Sequence, residues 1–211
     1  MILVGQYDSP FVRRVAVALA HYGLGYEHRP WSVWAQADDI ARLNPLRRVP
    51  VLVLDDGEVL IESAAILDAL DETAPSDRVL LPRSGAPRRA ALRVCALATG
   101  LADKAVSLLY EGVLRDEGSR SAKWIDRCHA QMHDTLDLLE TTRADRAGTF
   151  IFESFSHADI ALTCALRFVE EAHPSLLQAK ARPALAAHAH HFESTPLFRG
   201  IVQPLHVQVS P

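Results

Sequence analysis

Pro50 stands directly before Val51-Leu52-Val53-Leu54, a run of apolar and β-branched residues that otherwise reads as a buried strand. Proline lacks the N–H that a ladder needs, so this strand must begin here or lie at an edge. If the Val49–Pro50 bond is cis, the chain bends and Val49 turns its N–H and C=O outward. An outward edge of that kind can pair with an extended peptide, as in strand addition. Asp55-Asp56-Gly57 supplies hairpin chemistry, and Val59-Leu60-Ile61 returns as the antiparallel partner. That second strand delivers Glu62-Ser63 to a helix expected from Ala64 to Leu70, with Ser63 as its N-cap. A helix N-terminus is a site for a carboxylate. A backbone edge beside an anion site suits a small acidic peptide.

Val-Pro-Val-Leu, a hairpin, then Glu-Ser opening a helix resembles the glutathione-binding half of the glutathione transferase superfamily. The resemblance implies that the main chain of Val49, held by Pro50, pairs with the cysteinyl unit of glutathione. It implies that Glu62 and Ser63 hold the γ-glutamyl end and that Arg48 meets a carboxylate of the same co-substrate. It also fixes the fold class: an α/β, thioredoxin-like N-terminal domain followed by an all-helical C-terminal domain.

Composition narrows the class from another direction. The 211 residues are 49% hydrophobic and 23% charged, ordinary for a globular protein, with a formal net charge of −4. Residues 1–82 carry 7 basic and 12 acidic side chains and the rest 15 and 14, so neither part offers the basic field of a nucleic-acid binder. The N-terminal residues lack a charged region before an apolar core, and no apolar run is long enough to span a membrane. Cys95, Cys128 and Cys164 are far apart and form neither a disulfide framework nor a zinc pattern. The expectation is a cytoplasmic protein with no metal, no nucleic-acid partner and no membrane association.

Along the chain, Ile2-Leu3-Val4 reads as a strand. Ser9-Pro10 then opens a helix that Gly23 ends, with Ser9 as N-cap and Pro10 at the first helical position. Residues 25–30 fit a second strand, and Ala37 to Leu43 a short helix. With the hairpin and its helix this makes β-α-β-α-β-β-α, the thioredoxin-like order that the resemblance implies. The domain expectation is 1–75 for this unit, 76–87 for a linker rich in Pro, Ser and Gly, and 88–211 for helices. Long helices are expected over Arg88 to about Asp116 and Ser119 to Glu140, and a further one over Pro183 to Phe192. The tail after Gly200 reads as loosely ordered. Phe155-Ser156-His157-Ala158-Asp159-Ile160 carries a capping box and a hydrophobic staple, a structural N-terminus for a buried helix.

The chemistry centres on a thiol. A free thiol of pKa near ~8.5 is only slightly ionised at neutral pH, and lowering that by about 2 units takes roughly 2.7 kcal/mol. A hydrogen bond to a charged group supplies about 1.5–3 kcal/mol, and the first turn of a helix adds about 0.3–1. Ser9 can be the donor while its helix adds the rest; read alone, Ser9 is equally a plain N-cap. The Ser-Pro-Phe-Val-Arg wording resembles a serine-type bacterial branch of the family, whereas other branches use a tyrosine near the end of the first strand, which makes Tyr7 the rival. No cysteine occupies the place of Ser9, against a covalent mixed-disulfide chemistry.

The resemblance implies a second substrate, a small apolar electrophile held between the domains, with Trp34, Leu101 and Tyr110 as candidate wall residues. It also implies a homodimer formed through the fourth helix and its neighbour. Arg47 departs from the family, where a small residue is common, and reads as a solvated loop charge. Arg13 and Arg14 read as partners for acidic groups across a domain contact, with no site role. His129 and His133, and the cluster His188, His190 and His191, read as structural or solvated. A transferase conjugating glutathione is the main expectation; a glutathione-dependent isomerase or dehalogenase, or a non-catalytic scaffold, are the alternatives.

Overall fold

The computed structural model describes residues 1–177 and 180–205. Its first part follows the order β1 (Ile2–Val4), α1 (Pro10–Tyr22), β2 (Glu27–Arg29), α2 (Ala37–Leu43), β3 (Val51–Val53), β4 (Val59–Ile61) and α3 (Ser63–Thr73). The four strands lie in the order β2-β1-β3-β4. β1 and β2 are parallel, as a crossover through α1 requires, and the other two pairings are antiparallel. This is the thioredoxin-like arrangement.

Strand periodicity assigns the layers. Leu3 pairs with Leu52, and both face the layer of α1 and α3 among Val15, Leu19, Ile66 and Leu70. Val4 pairs with Val51 on the opposite face, against Ile40 of α2. The hairpin closes as expected: Leu54 donates to the carbonyl of Glu58, and Gly57 takes the positive φ of 91° that the turn needs.

Helix α1 begins where Ser9 accepts the N–H of Val12 at 3.4 Å, and ends at Gly23, whose φ of 73° is left-handed. It is buried on both sides, by the sheet and by the second part of the chain. Even Arg13 is enclosed: it meets the Glu193 carboxylate with two nitrogens, at 2.5 and 2.8 Å, and donates to the carbonyls of Ile201 and Phe198. The expected acidic partner across the domain contact is therefore Glu193.

The second part is helical: α4 (Gly85–Leu114), a 3-10 turn at Glu117–Ser119, α5 (Ala122–Ala144), α6 (His157–Ala172), α7 (Pro183–Glu193) and α8 (Pro196–Arg199). α4 starts three residues earlier than its sequence pattern indicates, and α5 later, because Ser121 rather than Ser119 caps it by accepting the N–H of Trp124. α6 starts at the Ser156–Asp159 box, where Asp159 accepts the N–H and hydroxyl of Ser156 through one oxygen and the N–H of Ile151 through the other. Phe155 and Ile160 pack in the same apolar cluster, as a staple does. The three cysteines are buried and free. No helix among the described residues is long and apolar enough to cross a membrane.

The expectation of a loose tail after Gly200 is corrected for its described part. Ile201 is buried, the Gln203 side chain accepts the N–H of Tyr7 at 3.1 Å, and Leu205 donates its N–H to Glu171 at 2.8 Å. Anchoring to α1 and α6 outweighs the lack of a helical pattern. Residues 206–211 lie outside the described residues.

Two stability outcomes follow from this packing. Asp159→Ala removes a cap worth about 1–2 kcal/mol and orphans the buried N–H of Ile151, so urea unfolding should show a loss of about 3 kcal/mol. Burial, with the Arg143 charge nearby, holds His188 at a pKa of about 3, below its ordinary 6.5. The unfolded chain takes up that proton first, so its stabilising effect is complete above pH 6.5 and is lost as pH falls toward 3. His188→Gln should therefore flatten the pH dependence of the unfolding midpoint across that window.

Candidate functional site

The N-terminus of α1, the loop from β2 to α2, the segment before β3, and the second half of α4 surround a cleft of about 710 Å³. Each wall has a local cause. Ser9 is at the cleft because the N-cap of α1 faces it, and Phe11 follows in the first turn. Arg48 and Val49 arrive from the chain that leads to β3. Trp34 comes from the β2–α2 loop, and Tyr110 from α4.

Ser9 uses one lone pair on the Val12 N–H and keeps its own proton to donate, so the capping role and a donor role are compatible. Tyr7 is arranged differently. Its hydroxyl is 2.8 Å from that of Tyr26, its ring is stacked on His28 at 3.9 Å, and it is not among the cleft residues. Burial raises the Tyr7 pKa, and the Tyr26 hydrogen bond offsets this only in part.

The Val49–Pro50 bond is cis. Neither the N–H nor the C=O of Val49 has a hydrogen-bond partner among the described residues, while Arg48 offers its carbonyl to Asn44 at 2.9 Å. The Arg48 guanidinium is 3.8 Å from the Glu62 carboxylate, both half-exposed. Pro50, Glu62 and Ser63 lie outside the cleft lining, and Arg48, which lines it, reaches Glu62. Ser63 is corrected from N-cap to first residue of α3: Glu62 occupies the cap position with φ 65° and ψ 118°. A non-glycine residue there carries about 1–3 kcal/mol of backbone strain. Arg47 also has a positive φ, 53°, lines the cleft, and pairs at 2.7 Å with Asp38 in solvent.

Trp34 and Tyr110 both line the cleft and meet edge-on, ring centroids 5.2 Å apart. Burial, then the nearby Asp8 carboxylate, keeps the Tyr110 phenol protonated. Leu101 is corrected: it is 1% exposed in the helical core, one side of α4 away from the cleft. Sequence reading missed Phe11, Val106, Phe168 and Leu205 as wall residues. They come from four separate segments, and only Phe11, beside Ser9-Pro10, carries a local signal. Among the described residues no cluster of three or more potential metal ligands occurs.

Comparison with known proteins bears on this geometry. The model of the glutathione S-transferase N-terminal domain matches residues 3–78, and that of the C-terminal domain residues 122–191. The uncharacterised GST-like protein YibF of Escherichia coli K12 is 30% identical over 171 residues, 80% of this chain and 82% of that protein. A glutathione S-transferase of Methylobacterium radiotolerans, solved in complex with glutathione sulfonate, is 30% identical with a TM-score of 0.92, covering 100% of this chain and 98% of its own. A glutathione transferase family member of Pseudomonas fluorescens Pf-5, solved with bound glutathione, is 31% identical with a TM-score of 0.86, covering 97% and 99%. The chain belongs to the glutathione S-transferase family.

The backbone at Glu62 can be tested apart from any ligand. Glu62→Gly relieves the strain at a cost of about 0.5–1 kcal/mol in unfolded-state freedom, a net gain of about 1 kcal/mol in urea unfolding. Glu62→Ala keeps a Cβ at the same φ and should show no such gain.

Proposed function

We propose that the chain is a glutathione transferase of the serine type, in which the Ser9 hydroxyl donates to the sulfur of glutathione and holds it as thiolate. The sulfur then attacks an electrophilic carbon of a small apolar second substrate. The C–S bond forms as the leaving group departs with its electron pair, and the thiol proton has already gone to solvent. The observation that carries this reading is the contrast between two hydroxyls: Ser9 lines the cleft with its proton available, and Tyr7 is turned to Tyr26.

In this reading the free main chain of Val49 pairs with the cysteinyl unit. Glu62 and Ser63 take the γ-glutamyl end, and Arg48, loosely held at 3.8 Å by Glu62, exchanges that partner for a carboxylate of glutathione. Trp34 and Tyr110 form the apolar wall for the electrophile. The same reading includes a domain division at 1–75, 76–87 and 88–211, a homodimer through α4 and its neighbour α3, and a cytoplasmic location.

Glutathione titrated into the protein at neutral pH should produce the ultraviolet absorption of a thiolate. Ser9→Ala should abolish that band and lower kcat/KM by about 10²-fold, the loss of roughly 2.7 kcal/mol. Tyr7→Phe should leave both within about twofold. A thiolate band that survives in Ser9→Ala and vanishes in Tyr7→Phe would transfer the role to Tyr7.

A further inference from the structure

Two arginines line the cleft, and glutathione accounts for one of them. Arg48 reaches Glu62 and, in the reading above, takes a carboxylate of the co-substrate. Arg47, one residue before it, is left over. Its φ of 53° lies in the left-handed region, which glycine adopts freely and a residue with a Cβ reaches only with strain. Strained residues of this kind gather at ligand sites, so a charged side chain held in this way at a cleft is a candidate ligand contact.

The pair with Asp38 does not commit Arg47. The two meet at 2.7 Å, but their side chains are 53% and 89% exposed, and an ion pair in water adds little to stability. Asp38 loses little on release, because water already surrounds most of it. The contact also locates the Arg47 head group: Asp38 follows Ala37, itself a cleft residue, so the guanidinium is on the side of the cleft that Trp34 and Ala37 form. A planar guanidinium suits a carboxylate, which it can meet with two parallel hydrogen bonds. The acidic residues of the lining come from other walls. Asp103 of α4 is beside the Lys104 ammonium at 3.0 Å, and Asp8, before α1, lies near the Tyr110 phenol.

We propose that Arg47 selects the second substrate, an electrophile whose apolar body lies on Trp34 and Tyr110 and whose far end carries a carboxylate. This inference rests on the transferase reading and adds a charge to the substrate that reading describes. Arg47 releases Asp38 and takes the carboxylate of the electrophile, while Arg48 takes that of glutathione. Neighbouring cations thus read two different molecules.

The test compares two glutathione conjugates that differ by one carboxylate, S-benzylglutathione and S-(para-carboxybenzyl)glutathione, by calorimetric titration of the full chain. The shared tripeptide cancels in the ratio of the two dissociation constants. The carboxylated conjugate should bind about fivefold to tenfold more tightly, and the preference should shrink as salt is added. Arg47→Gln should remove the preference and leave S-benzylglutathione within about twofold of its wild-type affinity. Arg47→Lys should keep part of it, and Asp38→Asn, which frees the guanidinium, should enlarge it. Arg48→Gln should weaken both conjugates alike. Under turnover, para-(chloromethyl)benzoate should show the same preference over benzyl chloride, carried by KM. In both, the C–S bond forms at the benzylic carbon and chloride leaves with the bonding pair. A ratio near unity in the wild type, or a ratio that Arg47→Gln leaves unchanged, would overturn the assignment. Equal weakening of both conjugates by Arg47→Gln would also overturn it, by giving Arg47 to glutathione. Failure of both conjugates to bind the wild type would sink the transferase reading, and this inference with it.

Discussion

The Arg13 guanidinium holds the molecule together at the point that matters. It lies inside the protein, bonded to both oxygens of Glu193 and to two main-chain carbonyls, and so fastens α1 to α7, α8 and the segment after them. A buried charge is tolerable only when its donors are satisfied in this way, and the same bonds that satisfy it leave α1 little freedom to shift. Ser9 is at the other end of the same turn. The position of its hydroxyl against the helical wall of the cleft is therefore held in part by an ion pair one turn further along the same helix.

Much of the N-terminal unit is legible in the sequence because its boundaries are made by residues with one conformational habit. Ser9-Pro10 and Gly23 bracket α1, and Asp55-Asp56-Gly57 makes the hairpin. Ser156 and Asp159 mark α6 equally well. The cap of α3 is not legible, because glutamate gives no sign of a positive φ; the register of the site, and not the residue type, imposes it on Glu62.

The long helix α4 shows a different limit. Its buried seam runs Val94, Ala98, Leu101, Ala105, Leu108, at alternating spacings of four and three. The cleft takes Asp103, Val106, Tyr110 and Val113 from another side of the same helix. Both stripes are largely apolar, so hydrophobicity cannot separate a packing face from a pocket face. The alanines do separate them: small residues occur where α5 and α6 approach closely. Leu101 lies between two of these and belongs to the seam, whereas Tyr110 is too large for such a close approach.

The bond between the N–H of Tyr7 and the side chain of Gln203 spans 196 positions of sequence, and Leu205, two residues on, is part of the cleft wall. Contacts of such separation carry a larger loop-closure entropy than local ones. The sheet, by contrast, is assembled from residues within the first 61. The strand edge at Val49 therefore depends on contacts much shorter in sequence than those that close the far side of the pocket. That edge is thus a product of local sequence, while the apolar half of the cleft is a product of the whole chain.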